Sequence, residues 1–179
     1  FIQYMATVFQ EQIEIRRKLA LENIRKIPIA CLIWGPNENA GTPTANCRKK
    51  LKDTLCELGH YACYSEELYD STCDVSNLLQ QVAQAEAFDI VFSIPDSPGS
   101  IAEIHQLARV PYIGPKIVAF LDSNWNDGFS NRALIDIQSP ATCWVYPYES
   151  TKLLNTVIGV ATDFVKRLQE AQYLNGRRI

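Results

Sequence analysis

The sequence lacks a long apolar run, and no segment approaches the roughly 18 residues that a membrane-spanning helix needs. Its first 21 residues also lack the basic-then-apolar pattern of a signal peptide, since Gln, Glu and Arg recur throughout them. Positive charge is not in excess either, because the net charge is −3. Phosphate backbones and anionic membranes attract basic surfaces. These absences predict an intracellular, cytoplasmic protein that binds neither a membrane nor a long nucleic acid.

The six cysteines include no CxxC pair and do not cluster along the chain. This spacing disfavours both a disulfide framework and a zinc site. The nearest approach to a ligand set is Cys56, His60 and Cys63, but Gly59 interrupts any helix that they would share. We therefore expect reduced thiols, no bound metal and no cofactor.

Apolar segments alternate with helical patterns along the chain. The apolar segments show almost no polar alternation, which is typical of strands covered on both faces, and they lie at 29–34, 61–64, 89–94, 116–121 and 142–146. Helical stripes predict helices over 6–26 and 47–58, after Asp74, from Ser100 to about 109 and after Ser150.

This alternation of strands and helices predicts a single α/β domain that spans residues 1–179. We expect a three-layer, doubly wound parallel sheet of about five strands, flavodoxin-like with the order 2-1-3-4-5 or else Rossmann-like. The helix at 6–26 would pack outside this core.

Ligands of such sheets bind beyond the carboxyl ends of the strands, where the winding direction switches. That rule places the loops at 35–46 and 95–100 in one crevice. The first loop contains Gly35 and Asn37 but lacks the Gly-Lys-Ser/Thr ending of a P-loop.

A basic cluster follows the first loop, at the start of the second predicted helix. Its members are Arg48, Lys49, Lys50 and Lys52. The cluster is either a solvated helix face or a grip on a phosphate through Arg48 or Lys49, and the sequence leaves both interpretations open.

The second loop reads DSPGSIAE at 96–103 and also has two interpretations. In the first, Ser100 and Glu103 form a capping box, and the Pro and Gly before them are ordinary turn residues. In the second, the helix start offers unpaired amides to a phosphate or an oxyanion, and Gly99 permits close approach of a ligand. Glu103 could then attack an anomeric carbon, while Asp96 either orients a sugar hydroxyl or bonds its own backbone.

The segment SPGSIAEI at 97–104, which follows the strand at 89–94, carries a family resemblance. It resembles the Gly-Ser/Thr-x-x-Glu element of the nucleoside 2-deoxyribosyltransferase and Lonely-Guy-like superfamily. Its residue pattern, Ser-Pro-Gly-Ser-x-Ala-Glu, is especially similar to that of effector domains of bacterial retrons and related anti-phage systems. The resemblance covers about 29–149, and its other matching segments are WGPN at 34–37, Arg48 and WVYP at 144–147.

This resemblance implies a Rossmann-like or flavodoxin-like sheet and either cleavage of N-glycosidic bonds or binding of nucleotide-derived molecules. Glu103 matches the family's catalytic nucleophile, and Gly99 with Ser100 matches its ligand-cradling turn. The remaining candidate substrate-binding residues are Gly35, Asn37, Arg48, Asp96 and Ser97. The chain departs from the family at His105, where the transferases have a small residue, and at 96–98, where the phosphoribohydrolases have paired glycines.

Three functions remain open on the sequence. The first is N-glycosidic cleavage or deoxyribosyl transfer on a nucleoside, nucleotide or NAD-like molecule, for which the resemblance implies a setting in anti-phage defence. The second is a non-catalytic sensor of a nucleotide-derived ligand, and the third is a scaffold for a partner. Apolar residues on both terminal helices predict a homo-oligomer or docking on a partner, and the resemblance implies that such a partner belongs to a defence system. Trp125 and Phe129, on a polar loop, are candidates to stack on a base or cover the site.

Overall fold

The computed structural model describes residues 2–125 and 142–176 and contains a sheet of five parallel strands. The strands are β1 Ala30–Trp34, β2 Tyr61–Tyr64, β3 Ile90–Ser93, β4 Ile117–Asp122 and β5 Trp144–Tyr148. Their order is β2-β1-β3-β4-β5. The predicted three-layer, doubly wound fold is therefore confirmed, with the flavodoxin-like order.

The described ranges also contain five α-helices: α1 Ile2–Arg25, α2 Pro43–Glu57, α3 Asn77–Ala87, α4 Pro98–Ala108 and α5 Leu153–Leu174. None of them combines the length and the apolar character that a bilayer-spanning segment requires.

The starts of the helices differ from the predictions. Ser76, not Asp74, caps α3, because its hydroxyl accepts the N–H of Leu79 at 3.3 Å. Helix α2 begins four residues earlier than expected, where Thr42 caps it and Pro43 fills the first turn. Ser150 does not cap α5; it begins a 3₁₀ turn, Ser150–Lys152, that precedes the helix.

Strand β5 lies two residues further along the chain than the predicted segment at 142–146. It includes Pro147, which has no N–H to donate. A proline is tolerated there because β5 is the edge strand of the described sheet and, among the described strands, pairs only with β4.

The chain divides into two compact units, one formed by residues 1–29 with 163–179 and the other by residues 30–162. In the first unit, the Gln169 side-chain amide donates to the carbonyls of Arg25, at 3.3 Å, and Ile27, at 2.8 Å. These bonds fix the chain where it leaves α1. The second unit contains the whole sheet and every candidate site residue. A single domain spanning 1–179 stays a prediction.

Buried aliphatic side chains of the strands and of α4 form one core in the second unit. All four residues of β3 are buried, as expected for a central strand without polar alternation. Lys116 supports this core from the amino end of β4. Its ammonium donates to the carbonyls of Ala85, Glu86 and Phe88 at the end of α3, at 2.8 to 3.3 Å, where a cation also complements the helix dipole.

Candidate functional site

The carboxyl ends of β1 and β3 lie side by side, and they are the ends from which both predicted loops leave. Trp34, the last residue of β1, pairs with Ser93, the last residue of β3. The amide of Ile94 then donates to the Trp34 carbonyl at 3.0 Å. Since β2 lies on one side of β1 and β4 lies beyond β3, this junction is where the winding direction switches.

A cleft of about 110 Å³ opens at this junction. Its lining residues come from the ends of β1 and β3, both loops, the segment after β2, α3 and α4: Trp34, Gly35, Ser65, Gln81, Ser93, Asp96, Ser100, Glu103, Ile104 and Leu107. Four of the eight sequence-predicted site residues are among them, namely Gly35, Asp96, Ser100 and Glu103. Asn37, Arg48, Ser97 and Gly99 do not line it.

One face of α4 forms a wall of this cleft. Ser100, Glu103, Ile104 and Leu107 are spaced at zero, three, four and seven residues, which aligns them on a single helix face. Glu103 is exposed, and within the described residues its carboxylate makes no hydrogen bond or ion pair. It is therefore available to a ligand.

Ser97, not Ser100, caps α4, and this corrects the predicted Ser100–Glu103 capping box. The Ser97 hydroxyl accepts the Ser100 N–H at 3.3 Å, and the Ser97 N–H donates to the Ser100 hydroxyl at 3.2 Å. The two serines thus cap the helix reciprocally. Glu103 lies outside this arrangement, so the cap does not account for its presence.

The same cap uses most of the amides that were expected to hold an anion. Pro98 has no N–H, and the Ser100 N–H is bonded to Ser97. Of the first three helical residues, only Gly99 retains an amide that the cap does not engage. Gly99 itself is not a turn residue, because it lies in the first turn of α4, where a Cβ would meet only the Ser97 hydroxyl at 3.9 Å.

Gly35 is the position where the cleft requires a glycine. Its φ is 154°, and a Cβ there would lie 2.9 Å from the Ile94 carbonyl oxygen and 3.1 Å from Cδ of Arg48. Any larger residue would push apart the two loops that form the cleft. Asn37, two residues on, is exposed, and its side-chain oxygen accepts the Asn39 N–H at 2.8 Å.

Arg48 does not face the crevice as a free phosphate ligand. It is 0% exposed, and one guanidinium nitrogen, Nη1, donates to the Pro36 carbonyl at 2.7 Å and to Glu66 at 2.6 Å. The other, Nη2, donates to the Ile33 carbonyl at 2.8 Å and to Glu66 at 2.7 Å. All four terminal N–H groups are thus engaged. Arg48 instead ties the loop after β1 to Glu66, which follows β2.

The Arg48–Glu66 pair belongs to a small ionic cluster around Tyr64. Lys52 donates to Glu67 at 2.6 Å, and the cationic groups of Arg48 and Lys52 lie 4.1 and 4.2 Å from the centre of the Tyr64 ring. Partial burial raises the pKa of Glu66, but the hydrogen bonds and the charge of Arg48, together with a backbone hydrogen bond, outweigh it, so the pKa is lowered overall. The expected basic helix face is therefore partly paired; Lys49 and Lys50 are exposed.

Two aromatic candidates and one histidine complete the predicted set. Phe129 lies outside the described residues, and Trp125 ends a 3₁₀ turn, Ser123–Trp125, that follows β4. His105 is half-buried on α4 and does not line the cleft.

All six cysteines are free, and four of them are buried. Burial raises the pKa of Cys47 to about 12 and that of Cys143 to about 11, so both thiols stay protonated. Within the described ranges, no three His, Cys, Asp or Glu side chains come together as a metal-binding group.

A scan against models of protein families gives no match, and a comparison with the curated proteins gives none either. The family resemblance of the segment at 97–104 therefore rests on its residues alone.

Proposed function

We propose that the protein cleaves or transfers at the N-glycosidic bond of a nucleoside, with Glu103 as the nucleophile. The observation that carries this proposal is the position of Glu103: an exposed carboxylate, without a partner in the described residues, on the wall of the cleft at the switch point. Asp96 supplies a second carboxylate to the same cleft. Paired carboxylates at a cleft are the usual equipment for glycosidic chemistry.

In the proposed reaction, a Glu103 oxygen attacks the anomeric carbon and forms an ester with the sugar. The bond from that carbon to the base nitrogen breaks, and the base leaves with the bonding electron pair and takes up a proton. Water then hydrolyses the ester, or a second base displaces Glu103 and completes a transfer. Asp96 would orient a sugar hydroxyl during both steps.

The charges of the cleft favour an uncharged nucleoside over a nucleotide or an NAD-like molecule. No Lys or Arg is among its described lining residues, whereas Asp96 and Glu103 both are. Arg48 is neutralised by Glu66, and the cap at Ser97 occupies the amide that a phosphate would seek. A phosphate would therefore meet two carboxylates and few donors.

The second candidate function is a sensor that binds the same class of ligand without turnover. The cleft volume of about 110 Å³ applies to both functions, and it is below the about 300–1,000 Å³ typical of pockets that enclose a whole ligand. The cleft accordingly suits the sugar portion of a nucleoside.

The proposal extends to the cellular setting that the resemblance implies, a cytoplasmic anti-phage defence system with a protein partner or a homo-oligomer. Helix α1 supports self-association because it exposes large apolar side chains, each about half exposed or more: Phe9, Ile13, Ile15, Leu19 and Leu21.

Incubation with a panel of nucleosides, nucleotides and NAD, followed by chromatography of released base, tests the enzyme proposal. We expect free base from at least one nucleoside. Calorimetry with the same panel tests the sensor: tight binding with no released base would favour it. If neither binding nor release occurs, both proposals fail.

A further inference from the structure

A second cavity borders the cleft and shares two of its lining side chains, those of Ser65 and Gln81. Its volume is about 220 Å³, twice that of the cleft. It lies between α3 and the segment that follows β2, and its lining residues are Ser65, Glu66, Tyr69, Asn77, Gln80, Gln81 and Gln84. Ser65 and Gln81 therefore lie on the boundary between the cleft and this cavity.

Most of the hydrogen-bonding groups of this cavity belong to neutral amides. Gln80 is committed to the backbone of Asp70, whose N–H it accepts and whose carbonyl it donates to, both at 3.0 Å. Asn77 accepts the Tyr69 hydroxyl through its side-chain oxygen at 3.1 Å, which leaves its NH₂ group to donate elsewhere. The one carboxylate, Glu66, is paired with Arg48.

Gln81 and Gln84 have side-chain amide groups that are not fully hydrogen-bonded. The Gln84 NH₂ group donates to the Ser65 carbonyl at 3.2 Å. A carbonyl can only accept, so this bond fixes the orientation of the amide. The Gln84 oxygen is buried and has no partner among the described residues. Gln81 makes no side-chain hydrogen bond in the same part of the chain.

Three buried polar atoms of the described residues have no hydrogen-bond partner, and two of them belong to residues that line these cavities. In the described ranges they are Trp34 Nε1, Arg48 Nε and Gln84 Oε1. Trp34 lines the cleft, Gln84 lines the second cavity, and Arg48 packs against Gly35. Such an atom destabilises a fold unless water or a ligand satisfies it, so the Gln84 oxygen gives the second cavity a hydrogen-bond acceptor for a polar partner.

Resting on the proposed function, we propose that the second cavity is a base-recognition subsite. The sugar occupies the cleft beside Glu103, and the nucleobase lies in the cavity, with its edge hydrogen-bonded to the amides of Gln81 and Asn77. A base edge presents donors and acceptors side by side, which a carboxamide can match with its own donor and acceptor. Tyr69 contributes aromatic surface for its face. No Lys or Arg is among the described residues lining either cavity, so this subsite selects a neutral heterocycle rather than a phosphate.

The test uses free adenine, cytosine and thymine, titrated into the whole protein by calorimetry. We expect at least one base to bind and Gln81→Leu to weaken that binding about tenfold, as the loss of two hydrogen bonds predicts. Gln106→Leu is the matched control, because Gln106 is exposed on α4 and lines neither cavity; it should bind as the wild type does. Thermal melts establish that both variants are folded.

Absence of base binding by the wild type, or equal binding by wild type and Gln81→Leu, overturns the subsite. Release of base from nucleosides is measured in parallel and separates the two proposals. Release without Gln81-dependent base binding leaves the proposed function standing and removes the subsite. Gln81-dependent base binding without release does the reverse, since the subsite stands and the catalytic role of Glu103 falls.

Discussion

Arg48 and Lys52 lie one helical turn apart on α2 and differ in how much they are expected to stabilise the fold. Each lies over the Tyr64 ring and pairs with a glutamate. Arg48 is 0% exposed, whereas the Lys52 side chain is 24% exposed. Arg48 also donates hydrogen bonds to the carbonyls of Ile33 and Pro36. Among the described residues, Lys52 donates to no backbone carbonyl.

We therefore predict that Arg48→Met destabilises the fold far more than Lys52→Met. Leaving the buried Ile33 carbonyl and the partly buried Pro36 carbonyl unpaired should lower the free energy of unfolding by about 2–4 kcal/mol. Lys52→Met loses a partly exposed ion pair, which is worth about 0–1 kcal/mol. Urea denaturation of both variants measures the difference. Equal losses would show that the buried arginine does not hold the loop after β1.

His60 predicts a pH dependence of stability. It is buried, and burial lowers its pKa from the ordinary 6.5. Below pH 6.5 the unfolded chain takes up a proton that the folded chain refuses, so the free energy of unfolding falls as pH falls, down to the folded pKa. Above that pH both states are neutral and the effect vanishes.

Denaturation curves between pH 7 and 5 test this sign, on the protein and on His60→Gln, which cannot titrate. We expect the variant to show a smaller loss of stability between these two pH values, because the interval includes the ordinary pKa of histidine. An unchanged pH dependence in His60→Gln would assign the acid sensitivity to the carboxylates instead.

At the scale of single elements, Ser97 and Glu103 near the start of α4 have different roles: Ser97 caps the helix, and Glu103 is the proposed nucleophile. Ser97→Ala removes the cap and should cost about 0.5–2 kcal/mol of stability. Glu103→Ala removes a side chain that lies outside the cap and should change stability by less than about 0.5 kcal/mol. Thermal unfolding of the two variants gives the comparison. A larger loss from Glu103→Ala would restore the Ser100–Glu103 capping box.

The strands were predictable from the sequence to within two residues. The starts of two helices were ambiguous, because each has two residues that could act as the N-cap. Ser97 and Ser100 are both competent caps, as are Asp74 and Ser76. The signal that decides α4 is Pro98, because proline favours the first helical position and so points to Ser97. In the same way, Pro43 at the first position of α2 indicates that Thr42 is the N-cap of that helix.

The cleft was predictable only in part. Two of its walls follow from the switch-point rule, and the spacing of Glu103, Ile104 and Leu107 on α4 indicates a shared face. The wall formed by Ser65 and Gln81 comes from segments whose position depends on β2 lying beside β1. The pairing of Arg48 with Glu66, 18 residues away, likewise depends on tertiary packing that no local pattern encodes.

For the molecule as a whole, self-association is the property that the exposed apolar surface predicts. The apolar arc of α5 is largely covered, since Val157, Ala161 and Val165 are buried. Helix α1 differs, because Phe9 is 58% and Ile13 49% exposed. Continuous exposed apolar surface usually marks an interface.

Light scattering at micromolar concentration should therefore report an oligomer, and Ile13→Glu should shift it toward the monomer. Gln12→Glu is the matched control, since it adds the same charge to an exposed neighbour on α1 without removing apolar surface; it should leave the oligomer intact. A monomeric wild-type protein would contradict this use of α1.

The central claim is that Glu103 is the nucleophile of an N-glycosidic reaction, and Glu103→Gln tests it most directly. The substitution preserves size and removes the nucleophilic carboxylate. Because Glu103 has no partner in the described residues, the melting temperature should not change.

The decisive measurement is the rate of base release from the preferred nucleoside by Glu103→Gln, beside Glu170→Gln, an exposed control on α5. The account predicts a loss of at least about a thousandfold for Glu103→Gln and wild-type release for Glu170→Gln. Release at the wild-type rate by a folded Glu103→Gln would contradict it.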